Sequence, residues 1–124
     1  MSDIFGIGSD MKRRFVPDYN KLQNKIENVR GVGKSIVFVS GTFDVKHHGH
    51  DRYLEKGKQL SAQDLGVDIR DVVLVVGVDS DESVRERKGE GRPTYNLEIR
   101  AEQLCHLRHV DLVTVTHEHG PQWK

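Results

Sequence analysis

Five consecutive apolar residues, Val72-Val73-Leu74-Val75-Val76, constrain this chain more than any other stretch. A β-branched run with no polar alternation suits a strand covered on both faces, the setting of a parallel sheet between helical layers. Upstream, Ile36-Val37-Phe38-Val39 followed by Ser40 and Gly41 reads the same way. Parallel neighbours need a long crossover. Residues 51–60 supply one: Tyr53, Leu54, Gly57 and Leu60 fall on one helical stripe, with Glu55, Lys56, Lys58 and Gln59 turned away. Asn96 caps a later helix whose inward stripe is Leu97, Ala101, Leu104 and Leu107, and residues 110–116 give a third β-rich stretch. Three such repeats with right-handed crossovers predict an α/β fold with one parallel sheet.

The remaining segments fit around that frame. Residues 1–16 have little periodicity and a small basic cluster, Lys12, Arg13 and Arg14, and are expected to be a mobile lead-in. Residues 17–124 are expected to form a single domain. Its first helix, residues 18–30, starts at Pro17-Asp18, places Tyr19, Leu22, Ile26 and Val29 at helical intervals to cover one sheet face, and stops at Gly31. Gly33-Lys34-Ser35 is a turn and no P-loop, because position 28 is Asn28 and the glycines precede a strand instead of following one. Residues 61–71 are polar, contain Gly66, and are expected to be a loop or short turn. Asp79 or Ser80 is placed to cap a short helix carrying Asp81 and Glu82 in its first turn. Residues 88–95 form a glycine-rich basic loop that reads either as an ordinary solvated loop or as one that closes over a phosphorylated substrate, with Lys88 as a mobile point charge and Arg92 as a bidentate clamp.

Of the 124 residues, 35% are hydrophobic and 31% charged, which predicts one soluble domain. The 19 basic and 19 acidic residues cancel, so the chain lacks the charge of a general nucleic-acid or membrane binder. The lone Cys105 forms no internal disulfide and no apolar stretch reaches a membrane span, so a reducing, cytoplasmic setting is expected.

Chemistry concentrates in Gly41-Thr42-Phe43-Asp44-Val45-Lys46-His47-His48-Gly49-His50, between the first strand and its helix. In an open parallel sheet ligands bind beyond the carboxyl ends of the strands, where helix N-termini offer unpaired N–H groups and a positive dipole end. Phosphate suits such a turn. Gly41 and Gly49 allow close backbone approach, Thr42 adds a hydroxyl, and His47 and His50 add imidazoles within one helical turn. Two other readings use the same histidines: surface or capping residues, or a metal site completed by Cys105, His117 or His119.

Gly41-Thr42-Phe43-Asp44 followed by His47-His48-Gly49-His50 resembles the GxFD and HxGH signature of the cytidylyltransferase-like nucleotidyltransferases. The likeness continues through Val78-Asp79-Ser80-Asp81-Glu82-Ser83-Val84-Arg85, Lys88-Gly89, Arg92-Pro93, Arg100 and Leu107-Arg108-His109-Val110-Asp111, which resemble the adenylyltransferase domain of ADP-heptose synthases. Thr42 departs from the cysteine usual in that branch and matches glycerol-3-phosphate cytidylyltransferases. The resemblance implies a Rossmann-like three-layer α/β/α fold whose usual C-terminal part, with a Ser/Thr-rich triphosphate segment, does not follow before Lys124. It implies transfer of a nucleoside monophosphate from ATP or CTP to a sugar or polyol phosphate, with release of pyrophosphate. His47 and His50 would bond the α-phosphate, and Lys88 would meet the triphosphate or the acceptor phosphate. Thr42, Phe43, Asp44 and Gly49 would line the nucleotide site, with Lys46, Arg92, Arg100 and Arg108 as further substrate or phosphate contacts. Mg²⁺ is expected on the triphosphate, and a homodimer is expected by analogy. A non-catalytic nucleotide-binding module would keep the same fold and histidines without turnover.

Overall fold

The computed structural model describes residues 14–43, 48–93 and 95–117, with the side chains of residues 48–51 outside that description. Element order is α1 (Tyr19–Gly31), β1 (Ser35–Gly41), α2 (His48–Leu65), a 3-10 turn (Ile69–Asp71), β2 (Val72–Asp79), α3 (Asp81–Lys88), α4 (Leu97–Cys105) and β3 (Leu112–Thr116). The three strands are parallel in the order β1-β2-β3. Stepping across the sheet in one direction puts both crossover connections on one face. On that face Leu54 of α2 and Ala101, Leu104 and Cys105 of α4 pack on Leu74, Val76, Val78 and Val113. Leu22, Ile26 and Val29 of α1 cover Val73, Val75 and Leu112 on the other. The architecture is thus the expected Rossmann-like α/β/α. Among the described residues no helix is long and apolar enough to cross a membrane.

Local chemistry explains the helix ends. Asp18 caps α1, accepting from Asn20 N at 2.9 Å. The helix does not stop through Gly31 itself, which is its last residue. The left-handed residue is Gly33 (φ 88°), with Gly33 N–H on Arg30 O and Lys34 N–H on Val29 O, a glycine-terminated cap. The helix α2 runs five residues beyond the expected end at Leu60, and Gly66 (φ 68°) closes it in the same way, with Val67 N–H on Ala62 O. Ser80, not Asp79, caps α3 through Ser83 N, and Asn96 caps α4 through Ile99 N.

Three packing expectations are corrected. The buried positions of α2 are Leu54, Lys58 and Ala62, while Tyr53 (61%) and Leu60 (48%) are exposed. The helical period is as expected and its phase is not. Lys58 turns inward because its ammonium meets Asp111 Oδ2 at 2.9 Å, and Asp111 also accepts from Leu74 N at 2.7 Å. Strand β1 is covered only in part: it is an edge strand of the described sheet, with Val37 and Val39 against the α2/α4 cluster and Ile36 against the α1 cluster, none of them fully buried, and Phe38 exposed. Finally, the expected lead-in ends early. Arg14 and Val16 are buried, Phe15 bridges to Val113, and Val16 N–H donates to Val113 O at 2.8 Å. The β3 edge has open backbone groups that this segment pairs, which is why it is held. Residues 1–13 lie outside the described residues.

Gly77 is the tightest point of the sheet. A Cβ there would fall 2.5 Å from Thr116 Cγ2 and 2.7 Å from Phe38 Cζ. Gly77→Ala is expected to destabilise the fold by about 1–3 kcal/mol through overpacking, read as a lower urea midpoint at unchanged slope; an unchanged midpoint would show that the Phe38 ring gives way freely.

Candidate functional site

The carboxyl ends of the strands deliver Gly41-Thr42-Phe43 from β1, Asp79-Ser80-Asp81 from β2 and Thr116 from β3 to one edge. The turn after β1 is shaped by Phe43, whose φ of 51° lies in the left-handed region that non-glycine residues rarely occupy. That conformation buries its ring in the α2/α4 core. Gly41 is required beneath it, since a Cβ there would sit 2.9 Å from Phe43 Cε2. Gly41 therefore makes room for an aromatic ring of the chain itself, and Phe43 acts through core packing that fixes where α2 begins.

Arg100 ties this edge together. It is fully buried on α4. Its Nε donates to Tyr95 O at 2.9 Å, and its Nη1 to Thr42 O at 2.8 Å and Asp79 O at 2.7 Å. Its Nη2 meets Asp81 Oδ1 at 2.6 Å. One guanidinium thus satisfies carbonyls at the ends of β1 and β2 and at the entry to α4, while Asp81, in the first turn of α3, balances its charge. Expected as a phosphate contact, Arg100 is placed as a strut because its donors are committed to the protein.

A second network lies beside it. Asp79 Oδ1 accepts from Thr116 Oγ1 at 2.7 Å, and its Oδ2 accepts from Thr42 Oγ1 at 3.2 Å and from Arg87 Nη2. The Thr42 hydroxyl expected to face a nucleotide is bonded to Asp79 instead. Sequence reading passed over Arg87, and took Asp79 only as a helix cap. No local signal marks either: they meet each other eight positions apart, a spacing no helix or strand period joins, and both meet Thr42, 37 and 45 positions away.

The other expected site residues are distributed as follows. His50 and Gly49 stand in the first turn of α2, at the strand-end edge, with their side chains outside the description. His47, Lys46 and Asp44 lie outside the described residues. Lys88 ends α3 beside Arg87 and is exposed, as is Arg92 in the following loop, where Gly89 and Gly91 take positive φ. Arg108 is exposed in the connection that enters β3, at the opposite edge of the sheet, so the fold does not gather it with the others. His117 is exposed past β3, and His119 lies outside the description. Among the described residues no three His, Cys, Asp or Glu side chains form a metal-binding group. The carboxylates at this edge, Asp79 and Asp81, are already engaged by Thr42, Thr116, Arg87 and Arg100. They do not fit a resident magnesium cage.

Cys105 is buried on α4, and burial pushes its thiol up to about 11 from 9.0. It stays protonated at neutral pH and packs in the core between α4 and the sheet. The folded state holds a proton that the unfolded thiol releases, so the stability contribution present below about pH 9 is lost as the pH rises towards 11. Alkylation by iodoacetamide at pH 8 is expected to run about 100-fold slower in the native protein than in urea. Equal rates would show an accessible thiolate.

The cytidylyltransferase-like family model matches residues 38–122, from within β1 to beyond β3. The Bifunctional protein HldE of a Nitratiruptor species is 37% identical over 107 residues, covering 86% of this chain and 21% of the relative. That of Desulfatibacillum aliphaticivorans is 40% identical over 95 residues, covering 77% of this chain and 17% of the relative. The chain therefore spans about a fifth of the length of the curated relatives it matches. Among solved structures, the lipopolysaccharide core biosynthesis protein from Thermoplasma volcanium GSS1 superposes with a TM-score of 0.56 at 30% identity, over 70% of this chain and 62% of that one. These relatives bear out the likeness to ADP-heptose synthases. A parallel sheet with a histidine-bearing helix start beyond its first strand, matched by the family model over most of its length, makes this chain a member of the cytidylyltransferase-like family.

Proposed function

We propose that this chain transfers a nucleoside monophosphate from ATP or CTP to a sugar or polyol phosphate, releasing pyrophosphate. A phosphate oxygen of the acceptor attacks the α-phosphorus in line, the bond to the β-phosphate oxygen breaks, and a diphosphate linkage forms. Such a reaction needs little from the protein beyond positioning and neutralisation of charge. The observation that carries the reading is the start of α2 at His48 directly beyond the strand-end turn, within the residues matched by the family model. The N–H groups of that first turn and its dipole favour an anion, and His47 and His50 of the HxGH signature bracket it. Phe43 and Arg100 hold the end of β1, and Lys88 and Arg92, exposed at the end of α3 and in the loop after it, supply further positive charge. Magnesium enters as part of the triphosphate substrate.

A heptose phosphate is the first acceptor to test and glycerol 3-phosphate the second. The experiment is pyrophosphate release with magnesium, crossing ATP and CTP with a panel of sugar and polyol phosphates. Release dependent on one nucleotide and one acceptor supports the proposal and names both. Nucleotide binding with no release in any pairing overturns it in favour of a non-catalytic module.

A further inference from the structure

Arg87 extends from the last turn of α3 to the carboxyl ends of the other strands. Its Nη2 meets Asp79 Oδ2 and lies 3.4 Å from Thr42 Oγ1. Asp79 is itself fixed from two strand ends, by Thr116 at 2.7 Å and Thr42 at 3.2 Å, and its side chain is 15% exposed. Arg87 is 46% exposed. Among the described residues only Nη2 has partners, so Nε and Nη1 keep their N–H groups for solvent or a ligand. A plain surface ion pair leaves both side chains mobile. Here the carboxylate is held from two strand ends and orients a guanidinium whose Nε and Nη1 donors are open, next to Thr42 at the end of β1.

We infer that Arg87 is an anion contact of this site, offering an open N–H, at Nε or at Nη1, to a phosphate group of a substrate. Nε–H points to the Nη2 side of the guanidinium and Nη1 lies on the other side, so each open donor meets a phosphate oxygen singly, and an anchored guanidinium loses less freedom on binding than a free side chain. Asp79 offsets the charge of Arg87, so the contact works through directed hydrogen bonds at close range more than through long-range attraction. Thr42 takes part as a support: its hydroxyl steadies Asp79, and its carbonyl is held by Arg100. The inference rests on the transferase reading for its choice of phosphate compounds, and the phosphate comes from the nucleotide or from the acceptor.

The test is the ¹⁵N Nε–Hε resonance of Arg87, assigned by its loss in Arg87→Lys, followed through titrations with ATP, CTP, glycerol 3-phosphate and a heptose 1-phosphate, with sodium chloride as control. A saturable shift is expected with at least one phosphate compound and none with chloride. Binding of that compound is expected to weaken at least about tenfold in Arg87→Met and to recover partly in Arg87→Lys, which keeps the charge without the anchored planar donors. A response to the triphosphates alone assigns the contact to the nucleotide, and a response to the sugar or polyol phosphates alone assigns it to the acceptor. An unmoved resonance, or an affinity unchanged by either substitution, overturns the inference; the lysine variant decides if the methionine variant does not fold. A saturable shift without pyrophosphate release in any pairing removes the transferase reading and keeps the anion contact, and release with an unmoved resonance does the reverse.

Discussion

Arg100→Met is expected to lower the stability of the fold by about 3–5 kcal/mol, the range for removing one partner from a buried charged pair. Burying a guanidinium carries a desolvation penalty, and methionine would relieve it while refilling most of the volume. The penalty relieved is smaller than the bonding lost. The carbonyls of Tyr95, Thr42 and Asp79 would each lose a donor, and Asp81 would lose its cation. Each unsatisfied buried acceptor costs about 1–3 kcal/mol, and relaxation with water entry through the exposed side of Asp81 keeps the sum from reaching the full total. For a chain of this length the loss reads as a fall of about 10–20 °C in Tm. Arg100→Lys should fall between the two, since a single ammonium cannot reach four acceptors on four sides. A loss below about 1 kcal/mol in urea unfolding would show that the strand ends hold their positions without the guanidinium.

Substituting the signature histidines should act on rate and leave the fold intact. His47→Ala or His50→Ala is expected to reduce pyrophosphate release about 100-fold to 1,000-fold, the usual cost of removing one preorganised donor from a charged transition state. In the proposed function the two bond one phosphate, so the double substitution should cost less than the product of the singles. Neither is expected to change the free energy of unfolding by more than about 0.5 kcal/mol. Activity within tenfold of the unsubstituted chain would remove the histidines from the chemistry. Comparing these with Arg100→Met separates the two parts of the site: the histidines would lower kcat in a stable protein, and the arginine would lower the fraction folded.

The motif residues and the elements that carry them were legible in the chain itself. Apolar runs gave β1 and β2 their identity, and the helical spacing of Leu22, Ile26 and Val29 gave α1 its buried face. Asn96 was recognisable as a cap because capping is settled within three residues. Ser80 and Asp79 were both candidates, and the geometry chose Ser80 because Asp79 still belongs to β2. The glycines were read correctly as breaks, yet the function of two of them was not: Gly33, past Gly31, takes the left-handed position of the cap, and Gly41 accommodates the Phe43 ring.

What the sequence determined by itself is whatever depends on neighbours a few residues apart: the strand runs, the helical periods and the caps. Tertiary structure alone decided which polar side chains go inward. Lys58 reads as a solvent residue until Asp111, 53 positions on, lies beneath it. Arg100 reads as a surface cation until carbonyls from three segments converge on it, and Arg87 reads as one more charge on α3 until Asp79 and Thr42 meet it. The physical reason is common to all three. A charged group is buried or anchored only where distant parts of the chain bring it partners, and the energy of that pairing is absent from any local window of sequence.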